Sequence, residues 1–412
     1  MNLDIKGRDF MNYSYEEVKE FVEQEDVKFI RLAFCDVHGR QKNISILPDE
    51  LGRAFRDGIS FDASAIDGFG SEVKSDLLLF PISSTLNILP WRPMQGKVVR
   101  MFCTICHPDG TPFAADSRAF LKKAVRTAAD KGIHVNFGSE FEFYLFKTDE
   151  NGNPTEEPFD RAGYMDVAPE DKGENIRREI CLTMMDMGIH PETSHHEEGP
   201  GQNEIDFRYS DALCAADNAM NFVSVVKAAA VHNGLYADFS PKPIIGESGN
   251  GMHINMSVKC DDGVDRTNLF MAGIMNHICE ITVFLNPCEE SYARLGEKKA
   301  PKYVTWSEQN RSQLIRIPAA RGDYRRIELR SPDTTANPYI AYALLIYAGL
   351  DGIENNTPLP EPVDMNLFTA DKDVTDKLKT LPGNLDAAIK AALGSEFVRK
   401  CVPQEFLPYK HK

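Results

Sequence analysis

The sequence predicts an α+β protein in two parts. Residues 1–110 form a small N-terminal domain rich in antiparallel strands behind a leading helix, and 111–412 a larger domain with a curved antiparallel sheet flanked by helices. Short segments that alternate apolar and charged residues supply the strands, because successive side chains of a strand point to opposite faces. Longer segments with apolar residues at helical spacing supply the helices. A cluster of turn formers, His107-Pro108-Asp109-Gly110-Thr111-Pro112, separates the two parts.

In chain order, residues 14–24 read as an amphipathic helix, with Ser14 as N-cap and Glu17 completing a capping box. Residues 27–34 and 41–47 pair around a turn at Asp36-Val37-His38-Gly39. A short helix opens at Pro48 and reaches Phe55. Residues 61–70 are a loop of small residues around the carboxylate of Asp62, and 76–81, 85–89 and 97–105 are strands. Beyond the boundary, residues 117–131 form a helix that leads into a strand at 138–146, and 149–154 a surface turn. Further helices occupy 175–187, closed by Gly188, 211–233, closed by Gly234, 269–285, and 337–350, opened by Asn337-Pro338.

Charge and composition narrow the function. Lys and Arg number 46 against 62 Asp and Glu, a net charge of −16, which disfavours nucleic acid or an anionic membrane as the main partner. No apolar run approaches transmembrane length, and the start, Met1 to Lys6, carries no signal-peptide core. Nine scattered cysteines read as reduced thiols of a cytoplasmic protein, and Cys103-Thr104-Ile105-Cys106, inside an apolar strand, as a coincidence of spacing.

The chemistry lies in the strands. In 138–146, Phe141, Phe143 and Leu145 face one way and Glu140, Glu142 and Tyr144 the other. Two carboxylates side by side repel, so either one holds a proton or a hard cation lies between them. Three further strands repeat the pattern. His253, Asn255 and Ser257 oppose Ile254 and Met256, while Arg326, Glu328 and Arg330 oppose Ile327 and Leu329. Glu204, Asp206 and Arg208 oppose Ile205 and Phe207. Four such faces predict one curved sheet whose polar concave side holds cations and anions together, a setting suited to phosphoryl transfer. The segment 192–204, with His195 and His196, folds back at Gly199-Pro200-Gly201, which returns Glu197 and Glu204 to one place. Ser248-Gly249-Asn250-Gly251 runs into the His253 strand, its glycines allowing close approach of a ligand. Arginines crowd 310–318 and 321–330, where guanidinium forks suit phosphate and carboxylate.

Seven stretches together resemble the glutamine synthetase family in its type I bacterial form. They are Phe61-Asp62-Ala63-Ser64, 138–146, 194–207, Pro241-Lys242-Pro243, Gly251-Met252-His253, 310–318 and 326–338. The resemblance covers nearly the whole chain. It implies an N-terminal β-grasp domain, a C-terminal catalytic domain, and a homo-oligomeric ring, hexamer or dodecamer, in which the small domain of one copy completes its neighbour's site. It implies ATP and glutamate as substrates, with ammonia or another amine as acceptor, and two or more Mg2+ or Mn2+ ions. By motif, Glu142, Glu197 and Glu204 correspond to ligands of one ion, and Glu140, His253 and Glu328 to ligands of the second. Nucleotide contacts fall on Glu192, Tyr209, Ser257, Arg316 and Arg326, and amino-acid contacts on Gly249, Arg294 and Arg330. Arg311, with His195, falls on the transferred phosphate, and Asp62 takes a proton from ammonium.

The sequence departs from that family at several places. Lys299 stands just before Ala300-Pro301, where the family's flap carries a glutamate that binds ammonium. Ala65 stands for Ser, Ser248 for Asn and Asn255 for a second His. The segment 259–268 is short, and the C-terminal strap that joins rings is missing from this sequence. The expected activity is therefore glutamate–ammonia ligation through a γ-glutamyl phosphate. The alternatives are a γ-glutamyl ligase for another amine, motivated by Lys299, and a catalytically weak regulatory paralogue.

Overall fold

The computed structural model describes residues 13–70, 73–92, 95–320, 322 and 325–408. The chain start and Arg321, both used above, lie outside the described residues. The chain divides into two compact units. The first runs to Phe120 and includes Ile180–His190, and the second comprises Leu121–Glu179 and the chain from Pro191 onward.

In the first unit, α1 (Tyr15–Gln24) opens with the expected capping box: the Ser14 amide donates to the Glu17 carboxylate at 2.7 Å and the Glu17 amide to Ser14 Oγ at 3.2 Å. Its buried stripe is Val18, Phe21 and Val22. There follow β1 (Val27–Cys35), β2 (Gln41–Ile46), α2 (Leu51–Arg56), β3 (Ile59–Asp62), β4 (Asp76–Pro81), β5 (Asn87–Ile88) and β6 (Lys97–Cys106). The buried Asp36 carboxylate closes the β1–β2 turn by accepting the amides of His38 and Arg40 at 3.0 and 2.8 Å. The sheet order is β2-β1-β6-β4-β3, with β5 on β6. β1 and β6 run parallel and the other pairs antiparallel. The strand expected at 85–89 shrinks to Asn87–Ile88. Thr85 instead ends a 3-10 turn, its hydroxyl donating to the Ile82 carbonyl at 2.7 Å and accepting the Phe102 amide at 2.8 Å, a local bond that competes with the strand ladder.

α3 (Ser117–Ala129) leads to the axis of the second unit, β7 (Ile133–Thr148). Next come β8 (Pro154–Pro158), α4 (Glu174–Asp186), β9 (Pro191–His196), β10 (Gln202–Phe207), β11 (Ser210–Asp211), α5 (Ala212–His232), β12 (Leu235–Asp238) and β13 (Met252–Cys260). After these come α6 (Thr267–Leu285), α7 (Glu289–Arg294), β14 (Trp306–Glu308), β15 (Ile315–Ile317), β16 (Ile327–Leu329) and α8 (Pro338–Glu354). α9 (Lys372–Thr375), α10 (Leu385–Gly394) and α11 (Glu396–Cys401) complete the chain. The sheet runs β14-β15-β16-β13-β7-β10-β9, and β8, β11 and β12 also pair with the long β7. Every pair but β14–β15 is antiparallel.

The apolar side of β7 packs under helices. Phe141 lies 5.1 Å from Phe222 of α5, and Phe137 stacks on Tyr342 of α8 at 4.3 Å. Asn337 caps α8 as expected, accepting the amides of Tyr339 and Ile340, and Asp211, expected within the helix at 211–233, is the N-cap of α5 instead, accepting the amides of Leu213 and Cys214. α6 differs from expectation. By length and composition alone its 19 residues could cross a membrane. It is nonetheless a core helix, crossing α8 so closely that a Cβ on Gly273 would lie 2.1 Å from the Ala348 carbonyl. None of the nine cysteines is joined in a disulfide.

Candidate active site

Strand register assembles the site. On β7, Glu140 lies opposite His253 of β13 on one side and Asp206 of β10 on the other. Glu142 lies opposite Glu204, which in turn lies opposite His195 of β9. Asn255 lies opposite Glu328, and Glu328 opposite Arg316. The period-two pattern thus brings the polar faces of separate strands into adjacent rows.

One cluster joins Glu140, His253 and Glu328, whose ligand atoms all lie within 4.8 Å of one another. His253 Nδ1 is 3.2 Å from Glu140 and 3.7 Å from Glu328. Glu328 is fully buried and pairs with Arg316 and with Arg330 Nε, the latter at 3.1 Å. Asn255 donates to Glu140 at 2.8 Å and accepts from Arg326 at 2.8 Å. Burial pushes the Glu140 carboxyl up, but its bond with His253, the His253 charge, Asn255 and Arg316 outweigh it and hold the group at about 2.

A second cluster joins His195, Glu197 and Glu204, again within 4.8 Å. The imidazole lies 3.8 Å from Glu197 and 3.5 Å from Glu204. Glu142 neighbours this group on the sheet, but its carboxylate turns aside to accept the Gly251 amide at 2.6 Å. Here negative charge is in excess. Burial and the Glu142 charge push Glu197 up to about 7. Burial, then Asp206, Glu142 and Glu140, push Glu204 upward. Burial and Glu140 push Asp206 to about 7 against its bonds to Thr193 and Glu204. Glu140, Glu204 and Asp206 form a further group within 4.8 Å. Oxygen donors short of positive charge, with imidazoles beside them, are the donor chemistry that divalent cations require, so the residues present fit such ions.

Next to these carboxylates lies a cleft of about 140 Å³. Of the expected nucleotide contacts, Glu192, Tyr209, Ser257 and Arg326 line it; Arg316 does not, being turned to Glu328. The expected amino-acid contacts are also close to one another. Arg294 is buried, donates to the Ser331 carbonyl at 2.8 Å, and lays its stem where a Cβ on Gly249 would be, 2.9 Å away. The glycine space expected to admit a ligand is therefore filled by Arg294 and by the Pro241 carbonyl, 2.3 Å from the same point. Arg330 is buried, bonds the Lys299 carbonyl at 3.3 Å and meets the Arg311 carbonyl. The Arg311 side chain is exposed. Asp62 belongs to the first unit, exposed at the end of β3, where it accepts the Ser64 amide and hydroxyl at 2.9 and 2.7 Å.

Three residues at this site were given no role from the sequence. Alternation places Asp206 on the polar face with Glu204, and the structure gathers it with Glu140 and Glu204. Tyr164, in an irregular segment with no periodic signal, sets its ring 5.3 Å from that of His195. Glu198 accepts from Ser248 at 3.2 Å and pairs with Lys299 at 2.5 Å, and the same ammonium lies 5.2 Å from the Tyr164 ring.

Comparison with known proteins agrees with this geometry. Residues 26–108 match the family model "Glutamine synthetase, beta-Grasp domain", and residues 114–409 "Glutamine synthetase, catalytic domain". The mixed sheet of the first unit is thus a β-grasp. Among relatives, a glutamine synthetase of Methanosarcina mazei is 45% identical over 402 residues, 94% of this chain and 90% of that one. One from Clostridium saccharobutylicum is 45% identical over 95% of this chain and 91% of its own, and one from Staphylococcus aureus 42% over the same shares. The solved structure of a GmaS/ADP complex superposes with a TM-score of 0.86 at 28% identity, covering 96% of this chain and 93% of that one. Ligand-free GmaS superposes at 0.85, with 29% identity, covering 95% and 93%. With both domains matched in order, and close relatives aligned along almost its entire length, the chain belongs to the glutamine synthetase family.

Proposed function

We propose that the protein is an ATP-dependent glutamate–ammonia ligase that makes glutamine through a γ-glutamyl phosphate. The observation that carries this reading is the juxtaposition of two carboxylate–imidazole clusters with buried arginines and a neighbouring cleft, in a chain of this family. Glu140, His253 and Glu328 are the ligands for one Mg2+ or Mn2+, and Glu197 and Glu204, with Glu142 turning inward, for another. Such ions offset the charge of the triphosphate and of the transferred phosphoryl group. ATP occupies the cleft beside Glu192, Tyr209, Ser257 and Arg326. Arg294 and Arg330 orient glutamate so that its γ-carboxylate attacks the terminal phosphate in line. Arg311, with His195, meets the moving phosphoryl group. Ammonia then attacks the acyl phosphate and phosphate leaves. Asp62 takes the proton from ammonium; since it lies in the small unit, a neighbouring copy in a homo-oligomeric ring would deliver it.

A second reading is favoured by one observation. Lys299, where ammonium binding is expected in this family, is paired with Glu198 beside Tyr164. A cation there repels ammonium, so the acceptor in this reading is a different amine. Phosphate release dependent on ATP and glutamate, measured with ammonia and with a panel of amines, decides between them. Release with ammonia supports the first reading, and release only with another amine the second. Nucleotide binding without turnover overturns both.

A further inference from the structure

We propose that a buried polar network behind the β9–β10 hairpin positions the ion-binding carboxylates, and that Asp160, His196, Arg177 and Asn203 are positioning residues for metal binding. The inference rests on the ion-binding reading above. It begins with strand alternation. His195 and Glu204 are register partners facing the ion cluster; the next pair, His196 and Asn203, points to the rear and is buried. His196 Nε2 meets Asp160 at 2.8 Å and its Nδ1 meets the Glu197 carbonyl at 2.6 Å, so the ring ties the backbone of a candidate ligand to a fixed carboxylate. Asp160 also accepts the amides of Gly201 at 3.1 Å and Lys172 at 3.0 Å. Asn203 accepts from Arg177 at 2.6 Å and donates to the Gly201 carbonyl at 2.9 Å. Arg177 in turn grips Asp171 with two bonds, of 3.2 and 2.5 Å.

Asp160, Asp171 and His196 are close enough to hold an ion themselves. Arg177 already supplies the positive charge, however, and the oxygens named are engaged by amides and side chains. The group is therefore a brace and not another ion site. Its directional bonds hold both ends of the turn that carries Glu197 and leads to Glu204, which non-directional apolar packing would not do. A one-residue slip of this hairpin would send the rear pair to the front.

Mn2+ uptake by the full-length protein, read from loss of the free-ion EPR signal, tests this without turnover. Asp160→Asn keeps the shape and removes the charge facing His196; it is expected to weaken Mn2+ binding about tenfold or more, as loss of a ligand's supporting partner does. Arg177→Lys keeps the charge but loses the fork, and weakens binding less. Gly349→Ala, a core change on α8, melts earlier with wild-type affinity. Folded Asp160→Asn with unchanged Mn2+ affinity overturns the brace, as does an equal loss in all three variants. If Asp160→Asn does not fold, unchanged affinity in Arg177→Lys overturns it. Wild-type protein that takes up no Mn2+ defeats the ion-binding reading itself, a result distinct from wild type and variants binding alike.

Discussion

Glu142 and Glu204 sit directly opposite one another on neighbouring strands, and Glu197 arrives from the adjoining turn. This crowding sets a pH dependence. Glu197 and Asp206, each raised to about 7, and Glu204, also raised, keep protons in the folded state that the unfolded chain has released. Between roughly pH 4 and 7 the native state binds more protons, so stability without metal falls as pH rises through that window. Glu140, held at about 2, acts in the opposite sense, but its contribution is lost only as pH falls toward 2 and does not cancel the trend. Divalent ions require the ionised carboxylates, so their stabilising effect should grow with pH. Melting temperatures with and without MnCl2 at acidic and alkaline pH measure this; an equal metal-induced rise at both would contradict it.

Arg316→Ala should act through Glu328 and not through the nucleotide. Glu328 is fully buried and its pairing with Arg316 is across the β15–β16 register. Removing one partner of a buried pair costs about 3–5 kcal/mol; Arg330 remains as a second partner, so the lower end is expected. Denaturant midpoints should drop and Mn2+ affinity should fall, with the KM for ATP little changed. A large rise in that KM alone would restore Arg316 to the nucleotide site.

The sequence made the sheet legible because each strand carries both signals at once. Alternation in 138–146 names the core face, and the chemistry of Glu140 and Glu142 names the other. Register then follows from burying Phe141 and Phe143 against α5. What alternation cannot give is where a long side chain ends. Glu142 is on the expected face, yet its carboxylate turns to the Gly251 amide; Arg316 lies in the expected arginine-rich stretch, yet it turns to Glu328. Tyr164 was invisible because it lies in an irregular segment, placed by long-range contacts. The apolar run of α6 ends in the core because glycines on the crossing helices remove the atoms that would hold them apart.

That crossing yields a stability prediction. A Cβ on Gly349 would lie 2.0 Å from the Phe270 ring, inside a fully packed helix pair. Alanine normally favours a helix, but overpacking here should destabilise by about 1–3 kcal/mol. Urea unfolding measures it. Because Gly349 lies on α8 and contributes no group to the clusters or the cleft, activity per folded molecule at low temperature should match wild type. A stabilised Gly349→Ala would mean the ring moves freely.

Lys299 is the position at which substrate choice is best tested. Its ammonium is half-exposed and pairs with Glu198 at 2.5 Å, while its carbonyl accepts from Arg330. Exposed ion pairs contribute about 0–1 kcal/mol, so Lys299→Glu should hardly change the melting temperature. Its effect should be electrostatic and local. A carboxylate near Tyr164 attracts ammonium instead of repelling it, so ammonia-dependent phosphate release should rise, chiefly through a lower KM for ammonium. The substitution also sets two carboxylates against each other, at 198 and 299. Glu198→Lys combined with Lys299→Glu restores the pairing with its charges exchanged and separates the two effects. Gain in Lys299→Glu that persists in the double variant assigns the acceptor preference to the charge at 299. Gain that vanishes in the double variant assigns it to release of the 198–299 contact. No change in either variant would remove Lys299 from the choice of amine and leave the ammonia reading unopposed at this position.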